Sequence, residues 1–265
     1  MFKIGLVGCG AIGTEIIKDV LLRYKEDLRV HIYDIQEQRL KDLKDKFSWL
    51  YPLSSLEELV SKSQFIIESA SVKCAKELLP LSVKYKRDIL IMSTGALFWR
   101  KKCLDEARKI GIKIIIPSGA IAGLDAINAL RGKIERIELN SYKPATSLKD
   151  APYIKKERLN LDKLKGTRLI FKGSVKEAVK GFPQNINVAA TLLFSSGLKD
   201  IDVKIYACPN SKYNLHKIKV YSKASALEIT CKNYPSPSNP KTSSLAILSA
   251  CKAVEEYIKE KIKRR

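Results

Sequence analysis

Three glycines and one acid supply the clearest chemistry in the chain. Gly8-Cys9-Gly10-Ala11-Ile12-Gly13 has the spacing G-x-G-x-x-G, and Asp34 follows a later apolar run. An apolar segment over residues 2–7 leads into the loop, and a helical pattern over 11–24 leads out of it. In that setting Gly8 makes the tight turn, Gly10 lets backbone approach a pyrophosphate, and Gly13 lets helix and strand pack closely. Ala11 and Ile12 then lie at a helix N-terminus, whose unpaired amides and positive dipole end favour phosphate. Asp34 follows the strand pattern of residues 28–33, where a carboxylate accepts hydrogen bonds from ribose hydroxyls and repels a 2′-phosphate. The cofactor expected is NAD or NADP, with NAD favoured and Arg39, about one turn into the next helix, softening the preference.

The elements that must position these residues alternate in the first part of the chain. Strand patterns at 2–7, 28–33, 65–67, 89–92 and 112–116 are separated by helical ones at 11–24, 36–47, 72–85 and 96–110. Such alternation predicts a Rossmann-type parallel sheet with helices on both faces. Ser93, Thr94 and Gly95 follow one of these strands at the carboxyl edge, where open α/β sheets bind ligands, although a plain strand-to-helix turn accounts for them equally. Near Pro117 the rhythm changes. Strand-like segments at 134–142, 168–171, 201–207, 216–221 and 226–231 predict a second, mixed α/β domain, with helices at 121–130 and 187–195. A turn-rich run from Tyr234 to Pro240 precedes a long amphipathic pattern over 242–263, expected to pack back on the first domain. The division expected is 1–116 for the dinucleotide, 117–241 for catalysis and dimerisation, and 242–265 for the returning helix.

Composition excludes some classes and leaves one oddity. The six cysteines at positions 9, 74, 103, 208, 231 and 251 form no C-x-x-C pair, so no zinc ribbon, metal set or disulfide framework is expected. The chain enters a strand within two residues, shows no basic leader, and has no apolar run near the ~18 residues of a membrane span. A cytoplasmic protein without membrane contact is the expectation. The oddity is a net charge of +21, from 49 basic against 28 acidic residues. Nucleic-acid binding would concentrate that excess in a stripe, whereas here it is spread along the chain, so nucleic acid is not the expected partner.

Over nearly its full length the sequence resembles the L-aspartate dehydrogenase family. The likeness lies in Gly8 to Gly13, in Ser93-Thr94-Gly95-Ala96-Leu97 and in Pro117-Ser118-Gly119-Ala120. It continues in Phe182-Pro183-Gln184-Asn185-Ile186-Asn187-Val188-Ala189-Ala190, Asn214-Leu215-His216 and Asn239-Pro240-Lys241-Thr242-Ser243. The resemblance implies a Rossmann domain joined to a catalytic and dimerisation domain, a homodimer, and reversible NAD(P)-dependent oxidation of L-aspartate to iminoaspartate. That product can feed NAD synthesis or hydrolyse to oxaloacetate and ammonia. It also implies a catalytic histidine at His216 and cofactor contacts at Ala120 and Asn187. Leu215 departs from the usual middle residue of the Asn-x-His segment.

The residues bear on this reading independently. Oxidising an amino acid needs a base near the substrate nitrogen, and histidine ordinarily titrates in a suitable range. His31 lies inside a strand of the cofactor domain, where a structural role is expected; His216 begins a strand in the second domain. Two substrate carboxylates need cationic or hydrogen-bonding partners, for which Lys241, Thr242 and Ser243 are candidates at the opening of the last helix. The competing account makes Thr242 only a cap and Lys241 a solvated charge, or makes Lys241 the base in place of His216. Asn187 could pair with the nicotinamide carboxamide through both donor and acceptor, or simply cap its helix, and Asn185 is its neighbour and rival. Other Rossmann oxidoreductases, such as homoserine dehydrogenase or dihydrodipicolinate reductase, and a non-catalytic NAD-binding regulator are the alternatives.

Overall fold

The computed structural model describes residues 1–183, 186–237 and 239–263, without the side chains of Pro240 and Lys241. The chain divides into two compact units, Met1–Pro117 with Ile247–Arg265, and Ser118–Ala246.

The first unit alternates strands and helices: β1 (Phe2–Val7), α1 (Ala11–Asp19), β2 (Leu28–Tyr33), α2 (Glu37–Lys46), β3 (Leu50–Pro52), α3 (Leu56–Lys62), β4 (Phe65–Glu68), α4 (Val72–Lys84), β5 (Asp88–Ile91), α5 (Lys101–Lys109) and β6 (Ile114–Ile115). The strands form one parallel sheet in the order β3-β2-β1-β4-β5-β6. The order reverses between β1 and β4, and open sheets of this kind bind ligands at the carboxyl ends beside that switch point. Strand sequences such as Phe65-Ile66-Ile67 are buried on both faces, which explains their continuous apolar runs.

Two expected helices are interrupted. The pattern over 11–24 is an α-helix only to Asp19, followed by a 3₁₀ turn at Leu21–Tyr24. That over 96–110 is a 3₁₀ segment, Thr94–Trp99, and then α5. Two elements of this unit were not anticipated. β3 is a three-residue edge strand, where Pro52 removes no interior ladder bond. α3 starts at Ser55, whose hydroxyl accepts from the Glu58 N–H at 3.2 Å.

The second unit contains α6 (Leu124–Ala129), β7 (Ile134–Pro144), α7 (Pro152–Lys156), β8 (Arg168–Ser174), α8 (Val175–Gly181), α9 (Asn187–Ser196), β9 (Asp202–Cys208), β10 (Asn214–Ser222), β11 (Ala226–Asn233), β12 (Pro235–Ser236) and β13 (Asn239–Ser243). Its main sheet has the order β11-β10-β7-β9-β8 and is mixed, with β7 and β9 parallel and the other pairs antiparallel. β12 and β13 pair separately as an antiparallel ribbon. α8 begins with a capping box between Ser174 and Glu177.

The last helix, α10 (Ser244–Ile262), starts after the residues expected to open it, because Lys241, Thr242 and Ser243 complete β13. Ile247, Ala250, Cys251, Val254, Tyr257 and Ile258 of α10 belong to the same buried cluster as β1, β2 and β4. Tyr257 stacks on Phe65 at a ring separation of 3.8 Å and donates its hydroxyl hydrogen to Asp88 at 2.6 Å. Among the described residues no helix is long and apolar enough to cross a membrane.

Candidate active site

The three loop glycines are glycine for three different reasons. Gly8 has φ +91°, and a Cβ there would lie 2.7 Å from the backbone of Ala70. A Cβ on Gly13 would lie 2.1 Å from the Gly8 carbonyl oxygen, so α1 could not come so close to the loop. A Cβ on Gly10 would meet only the Arg39 guanidinium, at 4.0 Å. Internal packing therefore does not demand glycine at position 10; bare backbone there leaves an open approach for a ligand. No side chain caps α1, whose N-cap is Gly10, and the amides of Ala11, Ile12 and Gly13 have no hydrogen-bond acceptor among the described residues. Unpaired amides and an open approach fit the pyrophosphate of a dinucleotide.

Asp34 is buried directly beyond β2. One carboxylate oxygen accepts the Cys9 N–H at 2.8 Å and the other accepts the Gln36 N–H at 2.9 Å. The acid is thus fixed against the glycine loop while each oxygen keeps a lone pair for a ribose hydroxyl. The half-exposed Arg39 guanidinium stands 3.6 Å from Asp34, close to both the acid and Gly10. Cys9 is not a nucleophile here, since burial and the Asp34 charge push its thiol up to about 12.

Thr94 is buried at the start of the 3₁₀ segment rather than in β5, which ends at Ile91. The preceding Ser93 is tied to Glu68 at the end of β4: its N–H and its hydroxyl each donate to the carboxylate at 2.9 Å, as does the Ala70 N–H. Glu68 is completely buried, and desolvation raises its pKa. These bonds hold the carboxyl ends of β4 and β5 in fixed positions.

In the second unit His216 points into the covered face of the mixed sheet and is 2% exposed. Its partner across the β7 ladder is Ser141, whose Oγ lies 2.9 Å from Nδ1. Nε2 has no hydrogen-bond partner among the described residues. In the tautomer whose Nδ1–H donates to Ser141 Oγ, Nε2 carries the lone pair of a neutral imidazole; in the other, Ser141 donates to Nδ1 and Nε2 carries the proton. Burial, and secondarily the Lys143 charge, push the His216 pKa down to about 3. The ordinary titration range expected from sequence therefore does not hold for this environment. Lys143, two residues after Ser141 on the same face of β7, is itself buried, and desolvation pushes its pKa down to about 8. His31, by contrast, is a core residue of β2 whose Nδ1 lies 3.1 Å from the Ser63 hydroxyl.

The remaining candidates divide. Ala120 is half-buried, and its carbonyl accepts the Asn233 amide at 2.9 Å. Asn187 is the first residue of α9, with Ile186 as the N-cap, so it is not the cap residue of its helix. Ser243 donates its hydroxyl to Asn233 Oδ1 at 3.0 Å and accepts the Ala246 N–H at 3.4 Å. Its hydroxyl thus links β13, β11 and the first turn of α10, which competes with a direct substrate contact. Thr242 is half-buried in β13, one residue short of that junction. Lys241 lies in β13 with its side chain outside the description, and Asn185 lies outside the described residues.

Lys143 and Ser141 escaped the sequence reading. The expected strand stopped at 142, but the pairing with β9 continues to Pro144. A usable signal was present in the parity of β7, where Ile137 and Leu139 are buried and Ser141 and Lys143 take the next two inward positions. Polar residues at core parity mark a site or a buried network.

Two family models match the chain, and the range of the C-terminal one runs on into the α10 residues of the first unit. The family model described as aspartate dehydrogenase, C-terminal, matches residues 125–257, and the homoserine dehydrogenase NAD-binding domain model matches residues 8–117. The chain is 38% identical to an L-aspartate dehydrogenase of Methanococcoides burtonii and 39% identical to one of Methanocaldococcus jannaschii, in each case over 97% of both chains. The crystal structure of aspartate dehydrogenase from Thermotoga maritima superposes with a TM-score of 0.73 at 22% identity, covering 98% of this chain and 96% of that one. With a parallel NAD(P)-binding sheet, a mixed sheet carrying a buried histidine, and relatives of this similarity over almost the whole sequence, the chain belongs to the L-aspartate dehydrogenase family of NAD(P)-dependent oxidoreductases.

Proposed function

We propose that the protein oxidises L-aspartate to iminoaspartate, which hydrolyses to oxaloacetate and ammonia or supplies NAD biosynthesis. The observation that carries this reading is His216, a neutral imidazole oriented by Ser141 in the unit matched by the aspartate dehydrogenase model. Bound nicotinamide supplies the hydride acceptor for the substrate Cα. The protein's own residues do the rest. The open approach at Gly10 and the amides of Ala11, Ile12 and Gly13 hold the pyrophosphate, Asp34 accepts the ribose hydroxyls, and Thr94, Ala120 and Asn187 complete the cofactor contacts. His216 Nε2 takes a proton from the substrate nitrogen and later directs water at the imine carbon. The two carboxylates of a substrate beside His216 oppose the Lys143 charge and raise the imidazole's basicity as it binds.

NAD is the preferred cofactor in this proposal, with NADP accepted through Arg39 beside Asp34. Lys241, Thr242 and Ser243 remain candidates for the substrate carboxylates. The protein acts as a cytoplasmic homodimer. Light scattering of the purified protein tests the dimer by measuring its mass directly.

The test of function is turnover. With NAD or NADP, reduced cofactor is expected to accumulate with L-aspartate and scarcely with L-glutamate, since an added methylene costs ~1–3 kcal/mol in a site sized for two carboxylates. Equal rates with the two amino acids would defeat the assignment.

A further inference from the structure

The inner face of the mixed sheet changes character along its length. Ile137 and Leu139 on β7, Ile218 and Val220 on β10, and Val203 and Ile205 on β9 are buried and apolar. At one end the same face carries Ser141 and Lys143 on β7, Asn214 and His216 on β10, and Asn233 on β11. The ladder fixes how these meet. Ser141 lies opposite His216 and Tyr142 opposite Leu215, so the next step brings Asn214 opposite Lys143, with His216 on the diagonal. Diagonal neighbours in an antiparallel pair lie ~7–8 Å apart, within reach of a long side chain.

Lys143 is 6% exposed, and its side-chain ammonium has neither an ion pair nor a hydrogen bond among the described residues. Beside it the buried Oδ1 of Asn214 has no hydrogen-bond partner. Cations are rarely buried without a partner, because desolvation is costly unless an anion offsets it. The neighbours Lys143 does have, a neutral imidazole and amides, do not supply one.

Resting on the aspartate reading above, we infer that Lys143 is the carboxylate-binding cation of the substrate site, pairing with one carboxylate of the amino-dicarboxylic substrate while Asn214 Oδ1 accepts from its ammonium. The three functions then lie on adjacent strands. Lys143 holds the acid group, Asn214 the nitrogen, and His216 Nε2 the proton to be removed. The arrangement also accounts for placing a cation next to a base, which is unfavourable for proton uptake by His216 until a substrate anion arrives.

Succinate, a dicarboxylate with no amine to oxidise, is the probe. It is titrated calorimetrically into protein saturated with NAD, using wild type, K143M, K143Q and K143R. Wild type is expected to bind, the two neutral variants to bind about 10²-fold more weakly, and K143R to stay within about tenfold of wild type, since a hydrogen bond to a charged group is lost only in the neutral pair. NAD affinity is expected to be the same in all four, which also shows that each variant folds. Succinate should raise the melting temperature of wild type and not that of K143M. In turnover, K143M should raise the KM for L-aspartate by more than it lowers kcat. Equal succinate affinity in wild type, K143M and K143Q overturns the assignment, as does a loss of kcat with KM and succinate affinity intact, which would make Lys143 a proton acceptor. A wild type that binds succinate but does not oxidise L-aspartate would instead defeat the functional reading, leaving the Lys143 comparison to stand on the binding data.

Discussion

At the scale of single residues, environment decides what His216 and Asp34 can do. Burial and the Lys143 charge hold the imidazole neutral far below its ordinary range, down to about 3. Protonation of free enzyme at His216 therefore begins only well below pH 6.5, and kcat/KM is expected to show no histidine inflection between about pH 5.5 and 7.5. H216N should lower turnover ~10²- to 10⁴-fold, the usual contribution of a positioned base, with NAD affinity nearly unchanged. A wild-type inflection near the ordinary histidine pKa that disappears in H216N would show that the imidazole titrates normally and that burial does not control it. Asp34 and Arg39 form an opposed pair, an acid that favours ribose hydroxyls and a cation, 3.6 Å away, that favours a 2′-phosphate. D34A is expected to weaken NAD more than NADP, and R39A to weaken NADP more than NAD, in fluorescence titrations of the cofactor. An unchanged NAD-to-NADP ratio in D34A would remove Asp34 from the ribose site.

At the scale of elements, the turn from β1 to α1 separates folding from binding within six residues. Gly13 packs against the Gly8 carbonyl, so G13A forces the helix away and should lower the melting temperature by several degrees. Gly10 faces open space, so G10A should melt like wild type yet bind NAD at least about tenfold more weakly, because the new methyl group occupies the approach to the phosphates. Similar melting and similar affinity in both variants would show that the loop tolerates side chains and does not closely contact a cofactor. This loop was legible in the sequence because glycine spacing, apolar strand and helix start are all local. The mixed sheet was legible as strands but not as a site. His216 meets Ser141 and Lys143 only through a ladder joining residues some 75 positions apart, and no local pattern encodes that register. The opening of α10 was misplaced for a related reason. Thr242 and Ser243 have the composition of a helix cap, and Ser243 does accept the Ala246 N–H, but pairing between β12 and β13 carries the strand through Ser243. The capping box Ser174–Glu177 and the Ser55 cap of α3 were readable and passed over, since neither helix exceeds seven residues and so gives little periodicity to accompany the cap.

At the scale of the whole molecule the surplus of 21 positive charges remains to be assigned a consequence. Its ion pairs among the described residues are mostly exposed, as in Lys84–Glu57 and Lys62–Glu58, where solvent screening leaves each pair contributing little to stability. Against them stands repulsion among cations that have no acid to face, acting over a screening length of ~30 Å at 0.01 M salt but only ~10 Å at 0.1 M. Two effects of added salt therefore compete. Weakening the ion pairs lowers stability, and screening the surplus raises it. With 49 basic residues and 28 acidic ones, even complete pairing of the acids leaves 21 cations, so the second effect dominates at the lower salt concentrations. The melting temperature is expected to rise between about 0.01 and 0.3 M potassium chloride, a salt whose monovalent anion does not mimic a dicarboxylate in the substrate site. Differential scanning calorimetry of protein free of cofactor and substrate measures this directly. A fall in melting temperature over that range would mean that specific ion pairs, rather than the unbalanced charge, govern the electrostatic part of its stability.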